Sequence, residues 1–131
     1  MPANAAVREV LLPFPPSRCP VDADGVPAEW IEVTAATVRQ PTLVCFPGPG
    51  SDGVDLATRL AANTGARVLT VSGASVEDGI AAWRWLLREG CDTRTTTFVG
   101  TPAGSVLAFD VLAEAEHCGL ALPEGGVWTV S

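Results

Sequence analysis

Lysine is absent from this 131-residue chain, and histidine occurs once, as His117. The basic residues are eight dispersed arginines set against 15 acidic residues, for a net charge of −7. A surface that tracks phosphates needs clustered Lys and Arg, so the balance argues against nucleic acid as a partner. Arginine without lysine fits the coding bias of a GC-rich bacterial genome better than a binding patch. The opening residues, Met1 to Glu9, hold no basic segment followed by an apolar run, and no stretch approaches the length of a membrane span. A cytoplasmic location with no membrane partner is therefore expected. Cys19, Cys45, Cys91 and Cys118 are widely separated and form no C-x-x-C pair. With a single histidine they cannot complete a metal site, so they read as buried or free thiols, and neither a metal nor a cofactor is expected.

What is present suits one compact domain over residues 1–131. The chain is 47% hydrophobic, enough for a buried core, and its 13 glycines and 11 prolines act as punctuation rather than as a linker or repeat. Val7 to Leu12 and Trp30 to Thr37 read as strands joined by a proline-rich connection, Pro13 to Pro27, with turn chemistry at Asp22-Ala23-Asp24-Gly25. Thr42 to Phe46, Arg67 to Val71, Thr95 to Val99 and Val127 to Val130 are short, apolar and β-branched, as strands covered on both faces should be. Three helices separate them. The first runs from about Val54 to Thr64 and stops at Gly65, with Leu56, Ala57, Leu60 and Ala61 as its apolar stripe. The second opens on Ser75-Val76-Glu77-Asp78, a cap-like start, and runs to Gly90 with Ile80, Trp83 and Leu87 on one face. The third ends at Gly119 and presents Val106, Phe109, Leu112 and Ala113. Alternation of strand and helix predicts a three-layer α/β sandwich around a mainly parallel sheet of about six strands.

The junction before the third helix carries the most information. Val99-Gly100-Thr101-Pro102-Ala103-Gly104-Ser105 has the form of a G-x-S-x-G nucleophile elbow with proline in place of serine. Together with Gly25-Val26-Pro27-Ala28-Glu29-Trp30, the run Thr42 to Gly50, and Leu122 to Ser131, it resembles an α/β-hydrolase of the hormone-sensitive-lipase-like esterase group across nearly the whole chain. The resemblance implies the N-terminal half of that fold. In the family the elbow usually reads Gly-Asp-Ser-Ala-Gly-Gly, and a His-Gly-Gly-Gly loop supplies oxyanion-hole amides. Here the loop positions correspond to Pro47, Gly48, Pro49 and Gly50, and Pro49 has no N–H to donate. After Val71 the chain passes through Ser72-Gly73-Ala74 straight into the next helix, without the family's Tyr-Arg-Leu-Ala-Pro-Glu segment. Family members continue for well over a hundred further residues, which carry the triad acid and histidine. The resemblance thus leads to the expectation that both are missing here.

Proline cannot take the positive φ of an elbow serine, and Thr101-Pro102 instead fits an ordinary helix start, with Thr as N-cap and Pro at the first helical position. Thr101 or Ser105 could act as a displaced nucleophile only with a nearby base, and His117 belongs to the far end of the same helix, where it suits a C-terminal cap. Asp78 matches an acidic residue that the family often has at this helix start, a position that stabilises negative charge without catalysis. Trp83 and Trp85 lie two apart on a helix and cannot share a face, so one fills the core and the other reaches the surface. Pro47 to Ser51 lacks the Gly-Lys-Ser/Thr of a P-loop and does not match G-x-G-x-x-G.

Ligands of open α/β sheets bind outside the carboxyl ends of the strands. That rim is predicted from Gly48, Pro49, Gly50 and on to Asp52, from Ser72 to Ser75, and from Thr101, Pro102 and Ala103, with Asp78 nearby. Amides of Ala103 and Gly104 could meet a small acyl or carboxylate ligand. The expected role is non-catalytic, a pseudo-hydrolase acting as a binding or interaction subunit. The alternative is a repurposed cyclase, isomerase or lyase in which Ser72, Ser75, Asp78 and Thr101 orient a reactive substrate. An edge at Val127, Trp128, Thr129 and Val130 predicts a homodimer through strand pairing or uncovered sheet faces, with a hetero-partner as the other solution.

Overall fold

The structure, a computed structural model, describes residues 4–5, 16–33, 40–48, 53–72 and 75–130. Its strands are β1 (Asn4–Ala5), β2 (Ser17–Ala23), β3 (Val26–Glu32), β4 (Thr42–Phe46), β5 (Arg67–Val71), β6 (Thr96–Gly100) and β7 (Val127–Val130). Helices α1 (Gly53–Thr64), α2 (Val76–Arg88) and α3 (Ser105–His117) alternate with the later strands. One sheet contains all seven strands, in the order β1-β7-β6-β4-β5-β3-β2. From β1 through β5 every neighbouring pair is parallel, whereas β3 runs antiparallel to both β5 and β2.

Alternation along the strands builds two cores. Val44, Phe46, Leu69 and Phe98 turn towards α2 and α3, where Trp83, Leu86, Ala108 and Val111 are buried. Leu43, Cys45, Val68 and Val99 point the other way, onto Leu56, Ala57, Leu60 and Ala61 of α1. On the α2/α3 side the Phe98 ring meets Phe46 and Trp83 edge-on, with centroids 5.4 and 5.1 Å apart. Trp83 is fully buried and donates its Nε1–H to the Ala121 carbonyl at 2.9 Å, while Trp85 stays half-buried. The two tryptophans divide between core and surface as their spacing requires.

Two parts of the sequence reading need correction. The proline-rich connection contains a strand: β2 pairs with β3 from Ser17↔Glu32 to Ala23↔Val26. Asp24 and Gly25 close this hairpin with φ of 56° and 89°, the two positive values that a tight hairpin turn demands. Pro20 is tolerated because β2 is the sheet edge, and Pro27 precedes the four residues, Ala28 to Ile31, that ladder onto β5. The strand expected from Trp30 to Thr37 therefore begins earlier, at Val26. Positions 34–39, and the strand expected over Val7 to Leu12, lie outside the described residues. The second correction concerns α3. Its buried face is Ala108, Val111 and Ala115, whereas Val106 and Phe109 are 66% and 53% exposed and Ala113 is exposed too. On α2 the buried partner of Trp83 is Leu86, with Leu87 half-buried.

The sheet edge also differs from the expectation. β1 runs parallel to β7, pairing Asn4 with Thr129 and Ala5 with Val130, so β7 is not the outermost strand. Among the described residues that pairing stops at Thr129 and Val130. Val130 is buried against the α1 side, and Val127, Trp128 and Thr129 are half-buried.

Candidate ligand-binding crevice

Strands β4, β5 and β6 end at one rim, and α1, α2 and α3 begin there. Between them opens a crevice of about 940 Å³, within the usual range of small-molecule sites. Gly48, Ser72, Ser75 and Ala103, four of the residues read as the rim, line it, with Gly104 beside them. Pro49, Gly50 and the positions 51–52 and 73–74 fall outside the described residues. Asp78, Thr101 and Pro102 do not line the crevice, contrary to expectation. Asp78 sits in the first turn of α2, where its amide donates to the Ser75 hydroxyl at 3.1 Å, completing the cap read from the sequence.

The turn into α3 has an unstrained backbone. Among the described residues the only positive φ at a non-glycine position is that of Asp24, so the stretch from Gly100 to Ser105 carries no such strain. Thr101 caps the turn: its hydroxyl accepts the Gly104 N–H at 3.0 Å, and its carbonyl accepts those of Gly104 and Ser105 at 3.0 and 2.7 Å. The regular α-helix starts only at Ser105, three residues beyond Pro102, whose carbonyl takes the Ser105 hydroxyl at 3.2 Å. The helix start expected at Thr101-Pro102 is therefore displaced: the N-cap is Gly104, with no side-chain cap bond, and Thr101 closes a separate turn ahead of the helix.

Thr101 also reaches across to the loop after β4. Its Oγ accepts the Gly48 N–H at 3.2 Å, so one oxygen holds two backbone amides, from Gly48 and Gly104. Gly48 has no room for a side chain, since a Cβ there would run into Ala103. The expected availability of the Gly104 amide to a ligand is overturned by these bonds. Their signal in the sequence is only local, because nothing near Thr101 announces a partner on another strand.

The hairpin adds residues to the crevice that the sequence reading left out. Pro20, Pro27, Ala28 and Glu29 form its far wall, with Val54, Val71, Val76, Val106 and Leu107 supplying apolar surface. Glu29 gives both carboxylate oxygens to Arg18, at 2.6 and 3.2 Å. Asp110 stands at the mouth one turn beyond Val106. Under the crevice, Cys45 is fully buried, and loss of hydration pushes its thiol up to about 12 despite a hydrogen bond with Thr70. All four cysteines are free. His117 is exposed on the last turn of α3, remote from the rim. Among the described residues no cluster of His, Cys, Asp and Glu could hold a metal, and no helix is long and apolar enough to cross a membrane.

Solved structures similar to this arrangement include esterases. A mutant form of one esterase superposes with a TM-score of 0.76 at 28% identity, covering 93% of this chain and 47% of its own. An esterase of the bacterial hormone-sensitive lipase family gives 0.71 at 28%, covering 91% and 46%. The chain has the α/β-hydrolase fold of the hormone-sensitive-lipase esterases. An esterase/lipase from an uncultured bacterium shares that fold with a TM-score of 0.74 at 24% identity, over 87% of this chain and 44% of that one. An acetyl-hydrolase of Streptomyces hygroscopicus is 41% identical over 54 residues, 41% of this chain and 18% of that relative. No family model matches. The chain therefore spans less than half the length of these hydrolases.

Proposed function

We propose that this chain is a non-hydrolytic member of the esterase fold, a pseudo-hydrolase that uses its crevice to bind a small molecule within a binding or interaction subunit. The observation that carries the reading is the turn at Pro102. Proline, which has no nucleophilic atom, stands where the elbow motif has serine, the turn carries no positive φ, and Thr101 Oγ holds the Gly48 and Gly104 amides. The test is incubation with short p-nitrophenyl esters and a fluorophosphonate probe, with no turnover and no labelling expected. Activity lost on Thr101→Ala or Ser105→Ala would overturn the reading.

A second reading has support from the hydroxyls of Thr70, Ser72 and Ser75 in the crevice wall, which could orient a reactive substrate in a cyclase, isomerase or lyase. Bacterial genome context separates the two: a biosynthetic cluster favours the enzyme, and an adjacent partner gene favours the subunit. Four free thiols suit the cytoplasm. For assembly we favour a homodimer using the sheet face around Val127 and Trp128, with a hetero-partner as the alternative. Sedimentation at micromolar concentration tests both, since a stable monomer opposes either. A dimer that survives Trp128→Asp rejects this interface.

A further inference from the structure

The three helices differ in what they show to solvent. On α1 the exposed residues are Asp55 and Asn63, and on α2 they are Glu77, Arg84 and Arg88, as one-sided amphipathic helices require. On α3 they include Val106, Phe109 and Ala113, and among the described residues Val106 and Phe109 are the large hydrophobic side chains left exposed. At about 100° per residue these three positions fall within roughly 60° of one another, opposite the buried Ala108, Val111 and Ala115, and form a stripe about 10 Å long. Asp110 borders the stripe on one side and Glu116 on the other, both exposed, with His117 at its C-terminal end. Neither Arg nor Lys occurs in α3. A helix that is apolar on both faces has the pattern of one covered on both, and the rest of the fold covers only the face of Ala108, Val111 and Ala115.

We propose that the outer face of α3 is a docking surface for an amphipathic helix of another protein, one whose apolar stripe is edged by Arg or Lys. Spacing at i, i+3 and i+7 is that of one helix packing along another, with Phe109 as the aromatic anchor and Val106 and Ala113 beside it. Charge selects the partner. A second copy of this chain would set Asp110 and Glu116 of one α3 among those of the other, on chains that each carry a net charge of −7. A basic rim meets the same two acids with opposite sign. The inference stands whether or not the crevice holds a ligand.

The probe is a synthetic Leu/Lys peptide of about four helical turns with its leucines along one face, compared with a scrambled peptide of identical composition. Titration followed by amide shifts is expected to show saturable binding centred on Val106, Phe109 and Ala113, and the scrambled peptide should bind at least about tenfold more weakly. Phe109→Ser leaves the net charge unchanged and should lower affinity at least about tenfold. Asp110→Asn combined with Glu116→Gln should lower it about threefold and flatten the salt dependence. Circular dichroism checks the fold of each variant, and Val106→Ser serves if Phe109→Ser does not fold. Equal binding of the scrambled peptide reduces the effect to general attraction by an acidic protein and overturns the inference. So do shifts confined to other elements, no binding at all, or full affinity in Phe109→Ser. A parent dimer that Phe109→Ser converts to monomer gives the face to a second copy and overturns it as well.

Discussion

Gly104 stands so close to Phe46 that a Cβ added to it would overlap the Phe46 carbonyl oxygen. Its φ of −97° and ψ of −8° are open to any residue, so space alone requires glycine there. Gly104→Ala is expected to destabilise the fold by about 1–3 kcal/mol, the usual cost of overfilling a packed site. Urea denaturation measures it. An unchanged midpoint with an unchanged slope would mean that the α3 start and the loop after β4 are farther apart than described.

Trp83 joins three elements: it packs on Phe98 of β6 from α2 and donates to Ala121 beyond α3. Trp83→Phe keeps much of the ring contact and removes the hydrogen bond to the Ala121 carbonyl, for an expected loss of about 0.5–1.5 kcal/mol. Trp83→Ala should cost about 3–5 kcal/mol. Equilibrium unfolding of the two variants separates the hydrogen bond from the packing, and equal losses would contradict the division.

Burial of Cys45 makes stability pH-dependent on the alkaline side. The unfolded thiol ionises from about pH 9 and the folded one only near 12. In that window the unfolded state has released a proton that the folded state still holds, so stability falls as pH rises. The contribution is complete below 9 and disappears between 9 and about 12, with a slope of up to about 1.4 kcal/mol per pH unit. Cys45→Ala should flatten this part of the profile. Native thiol labelling at pH 8 should modify the exposed Cys19 and Cys118 and spare Cys45.

Pro102→Ser by itself should not produce an esterase. Serine needs a base, and His117 lies at the other end of α3, roughly 18 Å from Ser105 along the helix. Turnover of p-nitrophenyl acetate should equal the parent's. Serine-dependent activity would reveal a hidden base, with His117 the first residue to replace.

The elements that the sequence announced were those governed by local chemistry. Gly65 ends α1 at a φ of 73° and Ser75 caps α2. Strand β2 was hidden because its Pro20 reads as a loop signal until the strand is known to be an edge. The buried face of α3 was misread because the helix is apolar nearly all round. Bulk drew attention to Val106 and Phe109, whereas close packing against Gly79 of α2 selects the face that carries Val111. The Gly48 to Thr101 bond joins distant parts of the chain, so no local pattern could reveal it. Half of the crevice was legible for the same reason: its rim follows from strand ends and helix starts, and its far wall comes from the hairpin that the reading missed.

The pairing of Asn4 with Thr129 sets an order of events during folding. β2 and β3 meet through a two-residue turn, a contact that closes within microseconds. β1 and β7 come from nearly opposite ends of the sequence, and their closure carries the entropy of the longest loop in the sheet for only two paired residues. β1 should therefore dock after the central strands have assembled and detach before they loosen. Native-state hydrogen exchange would record this as early loss of protection at Thr129 and Val130, while amides of β4 and β6 remain guarded until global unfolding.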